Sequence, residues 1–149
     1  YLGAIAHGFA GEWINNYPMG IVPVARVAER AFNTAGLAHH GKGDYTRAAE
    51  LFEKAARADT TSQTAAYNLA CALARLGDAR TEGALREAIA RGGDEVKKKA
   101  PKDADFAGVR GPEALAKLPE SERQSWQSLW NDVADLLKRA QGKPGPEKK

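Results

Sequence analysis

The feature that most constrains this chain is a self-similarity at an offset of 34 residues. Shifted by that amount, Gly43-Asp44 falls on Gly77-Asp78, Ala31 on Ala65, Ala38 on Ala72 and Leu51 on Leu85. Glu53 likewise meets Glu87, Ala56 meets Ala90 and Arg57 meets Arg91. A shared period of this kind means one supersecondary unit, repeated and stacked, because each copy buries its apolar face only against a neighbour. Each copy reads as helix, turn, helix. In the first, an alanine-rich helix is expected over residues 27–40, and Gly41-Lys42-Gly43 ends it, since glycine accepts the left-handed geometry of a helix C-terminus. Asp44 is placed to cap a second helix over 45–58 with its side-chain oxygen. Ala48, Phe52 and Ala55 recur at four- and three-residue steps and so share one face of that helix. Small residues at Gly36 and Ala48 permit the two helices to approach closely, and Phe52 fills the space beside them.

Composition narrows the alternatives. A chain of 149 residues can bury a core without disulfides or metals. The single cysteine, Cys71, rules out an internal disulfide and a cysteine zinc cluster, and in its Ala/Leu-rich run it reads as a small apolar residue. A formal net charge of +3 with mixed signs argues against a dedicated nucleic-acid binder. No run is long and apolar enough to cross a membrane. The chain opens at Tyr1 without an initiator Met, so it is a processed or truncated product or its true start is missing; processing would fit export, but weakly, and the compartment stays open.

Four regions follow from the text. Residues 1–24 are apolar and glycine-rich, with Pro18 and Pro23; residues 25–118 carry the repeats; residues 119–141 read as one amphipathic helix; residues 142–149 form a flexible tail. Residues 29–59 resemble a tetratricopeptide repeat, on Gly36, Gly43, Asp44, Tyr45, Ala48, Phe52 and Ala55. Residues 63–92 resemble a second copy, with "AYNLACALARLGD" in its first helix. There Glu82 and Arg86 stand where a small residue and an aromatic are expected, which leaves the phase of its second helix open. "DADFAGVRGPEAL", with Asp105-Phe106 and Arg110, is similar to the degenerate last repeat that often closes bacterial chains of this family. The expected fold is therefore an all-α solenoid of about two and a half hairpins, repeats at about 25–59, 63–92 and 94–118, with a long C-terminal capping helix.

That last helix has its own pattern. Pro119 suits a first helical position, Glu120 and Glu122 complement the positive end of the helix dipole, and Lys138 and Arg139 the other. Trp126, Leu129, Trp130, Val133, Leu136, Leu137 and Ala140 form an apolar stripe, with Gln127, Asn131, Asp132, Asp135 and Lys138 off it. A stacked array needs such a cap with a polar outer face.

No phosphate loop, dinucleotide fingerprint or haem-attachment motif appears, and no catalytic residue, cofactor or metal site is expected. His39-His40 is a poor metal pair because adjacent helical residues point about 100° apart. His39 is read as packing within the hairpin and His40 as partly exposed near the turn. Lys97-Lys98-Lys99 with Lys102 is the densest basic patch; Asp94, Glu95, Asp103 and Asp105 offset it, so it reads as a solvated face.

The family resemblance implies a concave groove that holds protein segments. It places Asn33, Leu37 and His40 of the first repeat on that groove, with Tyr67, Asn68, Cys71 and Arg75 of the second. Asn68 matches an asparagine that bonds a bound peptide's backbone in many such repeats. The carboxylate clamp of the chaperone-binding subgroup is not reproduced, because Leu37 replaces its first asparagine and Asn33 a lysine. The alternative is that these side chains pack on the protein's own flanking segments. Residues 1–24 match no repeat, yet Phe9, Trp13, Ile14, Tyr17, Ile21 and Val22 are too apolar for a disordered tail. A short helical piece is expected there, followed by an extended run through Ile21-Val22-Pro23-Val24. Such an arm either folds back or docks on a neighbouring copy, and the second geometry, head to tail, gives a ring or an open filament. The expected function is non-catalytic protein association, with the chain itself as partner; the alternative is an adaptor whose groove holds a segment of another protein.

Overall fold

The computed structural model describes residues 24–142. It is all-helical, with no strand among those residues. Helices α1 (Val24–Gly41) and α2 (Tyr45–Ala58) pack on each other, as do α3 (Gln63–Leu76) and α4 (Thr81–Gly92), and α2 also packs on α3. A short helix α5 (Asp94–Lys99) leads into two 3-10 turns, Ala100–Lys102 and Ala104–Val109, then α6 (Pro112–Ala116) and the long α7 (Glu120–Gly142). The second 3-10 turn lies against α3, while α7 packs on α5 and α6.

The two hairpin turns repeat their glycine conformation and closing backbone bonds at the 34-residue offset. Gly43 and Gly77 hold φ of +80° and +67°, the left-handed region that disfavours a side chain. In the first turn Asp44 N donates to the carbonyl of His39; in the second, Asp78 N donates to that of Leu73, both at 3.0 Å. These bonds satisfy carbonyls that the helix end would leave unpaired. Asp44 then accepts from Arg47 N at 3.2 Å and caps α2. Ser62 caps α3 by accepting from Ala65 N, and its hydroxyl also donates to the buried carboxylate of Glu29 on α1.

Between α1 and α2 the packing follows the apolar spacing. Ala48, Phe52 and Ala55 are buried. A β-carbon placed on Gly36 would lie 2.6 Å from Phe52 Cδ1, so only glycine lets the ring and the backbone meet. Between α3 and α4 the rule changes. The buried residues of α4 are Thr81, Leu85 and Ala88, which stand 33 rather than 34 residues after Ala48, Phe52 and Ala55. The open question of phase is thereby answered: α4 is turned by one residue. The turn supplies the means, since Asp78 accepts from Arg80 N at 2.8 Å and α4 starts only at Thr81. The reason is electrostatic. An unturned helix would bury Glu82 and Arg86, and burying charge is costly. Turned, those two pair with each other at 2.8 Å and reach α7, where Ser125 donates its hydroxyl to Glu82 and its carbonyl accepts from Arg86.

A larger core forms beyond the second hairpin, where Tyr67, Leu85, Val96, Phe106, Val109 and Leu115 meet Trp126, Leu129 and Val133 of α7. Trp130 is part-buried at its edge, with Nε1 donating to the carbonyl of Val109 at 2.7 Å. Leu136 and Leu137 are half-buried, but Ala140 is exposed, a correction to the expected stripe: the helix runs past the core before its pattern ends. Gln127, Asn131, Asp132, Asp135 and Lys138 face solvent as expected. A second correction concerns Val24, which begins α1 rather than ending an extended run. Pro23 directly precedes it, and a proline leaves the next backbone free to enter a helix while itself donating no hydrogen bond. The rest of that arm, Phe9, Trp13, Ile14, Tyr17, Ile21 and Val22, lies outside the described residues, as does the tail beyond Gly142.

Candidate functional site

The seven groove positions lie on α1 and α3, and the structure divides them into two sets. Tyr67, Cys71, Arg75 and His40 converge on two aspartates of the same chain. The Tyr67 hydroxyl donates to Asp103 Oδ2 at 2.7 Å, and Cys71 Sγ lies 3.9 Å from the same oxygen. Arg75 Nε donates to Asp105 Oδ1 at 2.5 Å, and His40 Nε2 lies 3.4 Å from Asp105 Oδ2. Lys99 Nζ sits 4.2 Å from the centroid of the Tyr67 ring, a cation against a π face. Three residues of the basic-patch reading are thus drawn into this network: Lys99, still exposed, by its place over the Tyr67 ring, and Asp103 and Asp105 by the donors Tyr67 and Arg75 on α3.

The local chain explains why these aspartates are presented so well. Asp103 caps the second 3-10 turn by accepting from Asp105 N at 3.0 Å. Arg110 returns to hold the carbonyls of Ala100 and Asp103 at 3.2 and 2.8 Å. Phe106, fully buried next in sequence, stacks edge-on against Tyr67 and pins the turn to α3. For these four positions, the reading in which they pack on the protein's own flanking segment is the one the geometry supports. Residues 103–106 lie over Tyr67 and Cys71 on α3, which are buried, and pair with Arg75, which stays exposed.

The other set makes no hydrogen bond to residues 103–106, and only Leu37 of it is exposed, Asn33 and Asn68 being part-buried. Asn68 Nδ2 donates to Asn33 Oδ1 at 3.0 Å, joining α3 to α1, and Leu37 is 49% exposed. The two histidines exchange the places expected of them. His40, not His39, packs in the hairpin, with its ring edge-on to Tyr45 at 5.0 Å and tilted to Phe52 at 6.2 Å. His39 sits at the turn, with Nδ1 3.2 Å from Asp44 Oδ2. One residue is about 100° of helical rotation, which is all that separates the two assignments.

The chemistry available here is that of a structural ion-pair network. Burial, and then the carboxylates of Asp103 and Asp105, push the Cys71 thiol up, so at neutral pH it stays protonated and is a poor nucleophile. Burial and the hydrogen bond to Asp103 push the Tyr67 hydroxyl up in the same way. Ligand atoms of Cys71, Asp103 and Asp105 lie within 4.8 Å of one another. Their oxygens, however, already accept from Tyr67 and Arg75, and a cation would have to compete with the Arg75 guanidinium. Nothing in the sequence pattern marked Asp103. Its partners lie 32 and 36 residues away, beyond any helical period.

A second surface emerges on α1. Val24, Val27, Ala31, Thr34 and Ala38 recur at three- and four-residue steps and are all exposed. Val24 and Val27 are 59% and 55% exposed, large values for aliphatic side chains. None of the five carries a charge. The opposite side of α1 packs on α2 and touches α3. No helix of the described residues is long and apolar enough to cross a membrane. No protein-family model, curated protein or solved structure matches this chain.

Proposed function

We propose that the chain is a helical-repeat protein of the tetratricopeptide type and acts without catalysis, by protein association. Its partner is a second copy of itself, engaged at the α1 end. The fold-level part of this reading is supported by the duplicated turns at Gly43 and Gly77, by the Gly36–Phe52 contact, and by α7 lying over the far end with a polar outer side. The single observation that carries the functional part is the uncharged face of α1, exposed among the described residues. At the other end the comparable apolar surface is covered by α7. A face of this kind on a helical stack is a place for a neighbour.

The occupant is the apolar segment 1–22 of a neighbouring copy, with Trp13 or Tyr17 as anchor, since buried aromatics commonly dominate such contacts. The contact is head to tail, and it closes a ring or propagates as a filament. The measurement is molar mass in solution by light scattering, for the intact chain and for a chain lacking residues 1–23. Assemblies that become helical monomers on truncation agree with the reading. An intact chain that is monomeric at high concentration overturns it.

The adaptor reading retains one specific support, exposed Leu37 beside the part-buried pair Asn33 and Asn68. Binding of an extended peptide that is lost on Asn68→Ala, in a chain that does not self-associate, would favour it.

A further inference from the structure

At the far end of the molecule from the α1 face, α6 with the two residues before it and α7 border an open cleft of about 440 Å³, a volume in the range of small-ligand sites. Its floor is apolar, with Leu115 and the ring of Trp130, and its rim carries Arg110, Arg123, Gln127 and Asn131. No acidic residue lines it. Neither arginine belongs to an ion pair among the described residues. Arg110 is fixed in place by its Nη1 on the carbonyls of Ala100 and Asp103. Arg123 is less satisfied. Its Nε is shielded from solvent and has no acceptor among the described residues, and its Nη2 makes only a long bond, 3.4 Å, to the carbonyl of Leu118. That Nε is too shielded for a ligand oxygen to reach, so what Arg123 offers the cleft is its terminal Nη groups, held among the described residues by nothing but the one long bond, and the acceptor that best matches a planar guanidinium is a carboxylate. Trp130 is held by its own bond to Val109 and cannot swing across the floor without breaking it.

We propose that this cleft binds an organic carboxylate carried on an apolar group, with the carboxylate between Arg123 and Arg110 and the apolar group on Leu115 and Trp130. Gln127 and Asn131 are positioned at the rim to donate to the carboxylate or to an amide next to it. The same chemistry is presented by a small aromatic or aliphatic acid and by the free C-terminus of a peptide with an apolar last residue. This proposal stands on the cleft alone and does not depend on how the α1 face is used.

The test uses the full chain and NMR titration of the side-chain N–H signals of Arg123 and Trp130. The probes are N-acetylphenylalanine, its amide, and a five-residue peptide ending in phenylalanine with its carboxylate free. The expected result is a saturable shift with the acid and the peptide, and no saturable shift with the amide. Peptide affinity about tenfold above that of the amino acid assigns the site to a chain end; equal affinity assigns it to a small acid. Arg123→Gln is expected to weaken the acid by about tenfold or more. Asn131→Asp, an exposed rim substitution that leaves the core alone, is expected to weaken it too by like-charge repulsion, and it serves if Arg123→Gln does not fold. No saturation up to about 10 mM acid, equal binding of acid and amide, or full binding by folded Arg123→Gln and Asn131→Asp would each overturn the proposal.

Discussion

In the hairpin α1–α2 the ring of Phe52 lies against Gly36. In α3–α4 the positions 34 residues on hold Arg86 and Ala70, and Leu85 and Ala88 make the fit instead. The turns that introduce the two second helices are near copies, yet the helices are buried on faces one residue apart. The outer surfaces differ as much. α3 has residues 103–106 on its inner side and α4 bonds to Ser125 of α7, whereas the outward face of α1 is bare among the described residues. The comparison separates two kinds of information. The turn is a local matter of glycine and aspartate geometry, and it repeats faithfully. The burial phase of the helix that follows answers to whatever covers it, and so it need not repeat.

The largest effect expected is on the first hairpin. Phe52→Ala should cost about 3–5 kcal/mol in denaturant unfolding, because the ring is fully buried against a backbone that cannot follow it. Gly36→Leu should be similarly severe, since even a β-carbon meets that ring. Wild-type melting of both would show that the hairpin register is not the one described. In the second hairpin the slipped phase is directly testable. Leu85→Ala should cost about 2–5 kcal/mol, and Arg86→Ala no more than about 1 kcal/mol. The reverse order would restore an unslipped helix.

Arg91 sharpens the comparison at the junction. Its repeat-mate Arg57 is exposed and, among the described residues, pairs only with Glu53, while Arg91 Nη1 reaches the carbonyls of Ala56, Asp59 and Ser62 at 3.2, 3.2 and 3.1 Å. Arg91→Ala should therefore destabilise by about 1–3 kcal/mol, and Arg57→Ala by about 0.5 kcal/mol or less, by the same unfolding measurement. Equal effects would mean that the bridge from α4 to the α2–α3 loop contributes nothing.

Stability should also depend on pH on the alkaline side. The folded state holds the Cys71 thiol above its ordinary value, so above about pH 8.5 the unfolded chain loses that proton while the folded chain keeps it. The folded state then binds more protons, and stability falls as pH rises, by about 1 kcal/mol per pH unit from this group. Below that range the contribution is fully present. Cys71→Ala should flatten the slope; an unchanged slope would show that the thiol is not the group responsible. The smallest effect on stability is expected at the bare face. Val27→Asp should change unfolding by no more than about 0.5 kcal/mol, yet lower the molar mass of any assembly measured by light scattering. Unchanged mass in an assembling chain would remove the α1 face from the contact.

Much of the helical layout was legible because it is local. The span of α2 follows from Asp44 and the small residues after it, and the closeness of α1 and α2 follows from glycine facing phenylalanine. The C-terminal helix announces its buried side through Trp126, Leu129 and Val133. What was not legible depends on distance or on a single residue of rotation. His39 and His40 look alike in sequence, and only the position of Tyr45 and Asp105 decides which one turns inward. The slip of α4 hinges on whether Asp78 caps a helix directly or first turns onto Arg80. Asp103 and Asp105 read as charges offsetting lysines, because their donors Tyr67, Cys71 and Arg75 are some thirty residues upstream. The same fact changes the meaning of the groove positions: four of the seven meet Asp103 or Asp105 of their own chain.

The stacking of Trp126 on Trp130, with ring centroids 5.8 Å apart and planes 18° from parallel, has an optical consequence. Two indoles this close couple their electronic transitions, and the coupled pair exists only while the start of α7 holds both rings in register. Trp126 is shielded from water and Trp130 is tethered to Val109. Release of α7 would therefore be seen as loss of a near-ultraviolet circular-dichroism couplet together with a red shift of emission. The molecule carries its own spectroscopic gauge of whether its last helix is docked, readable without any added label.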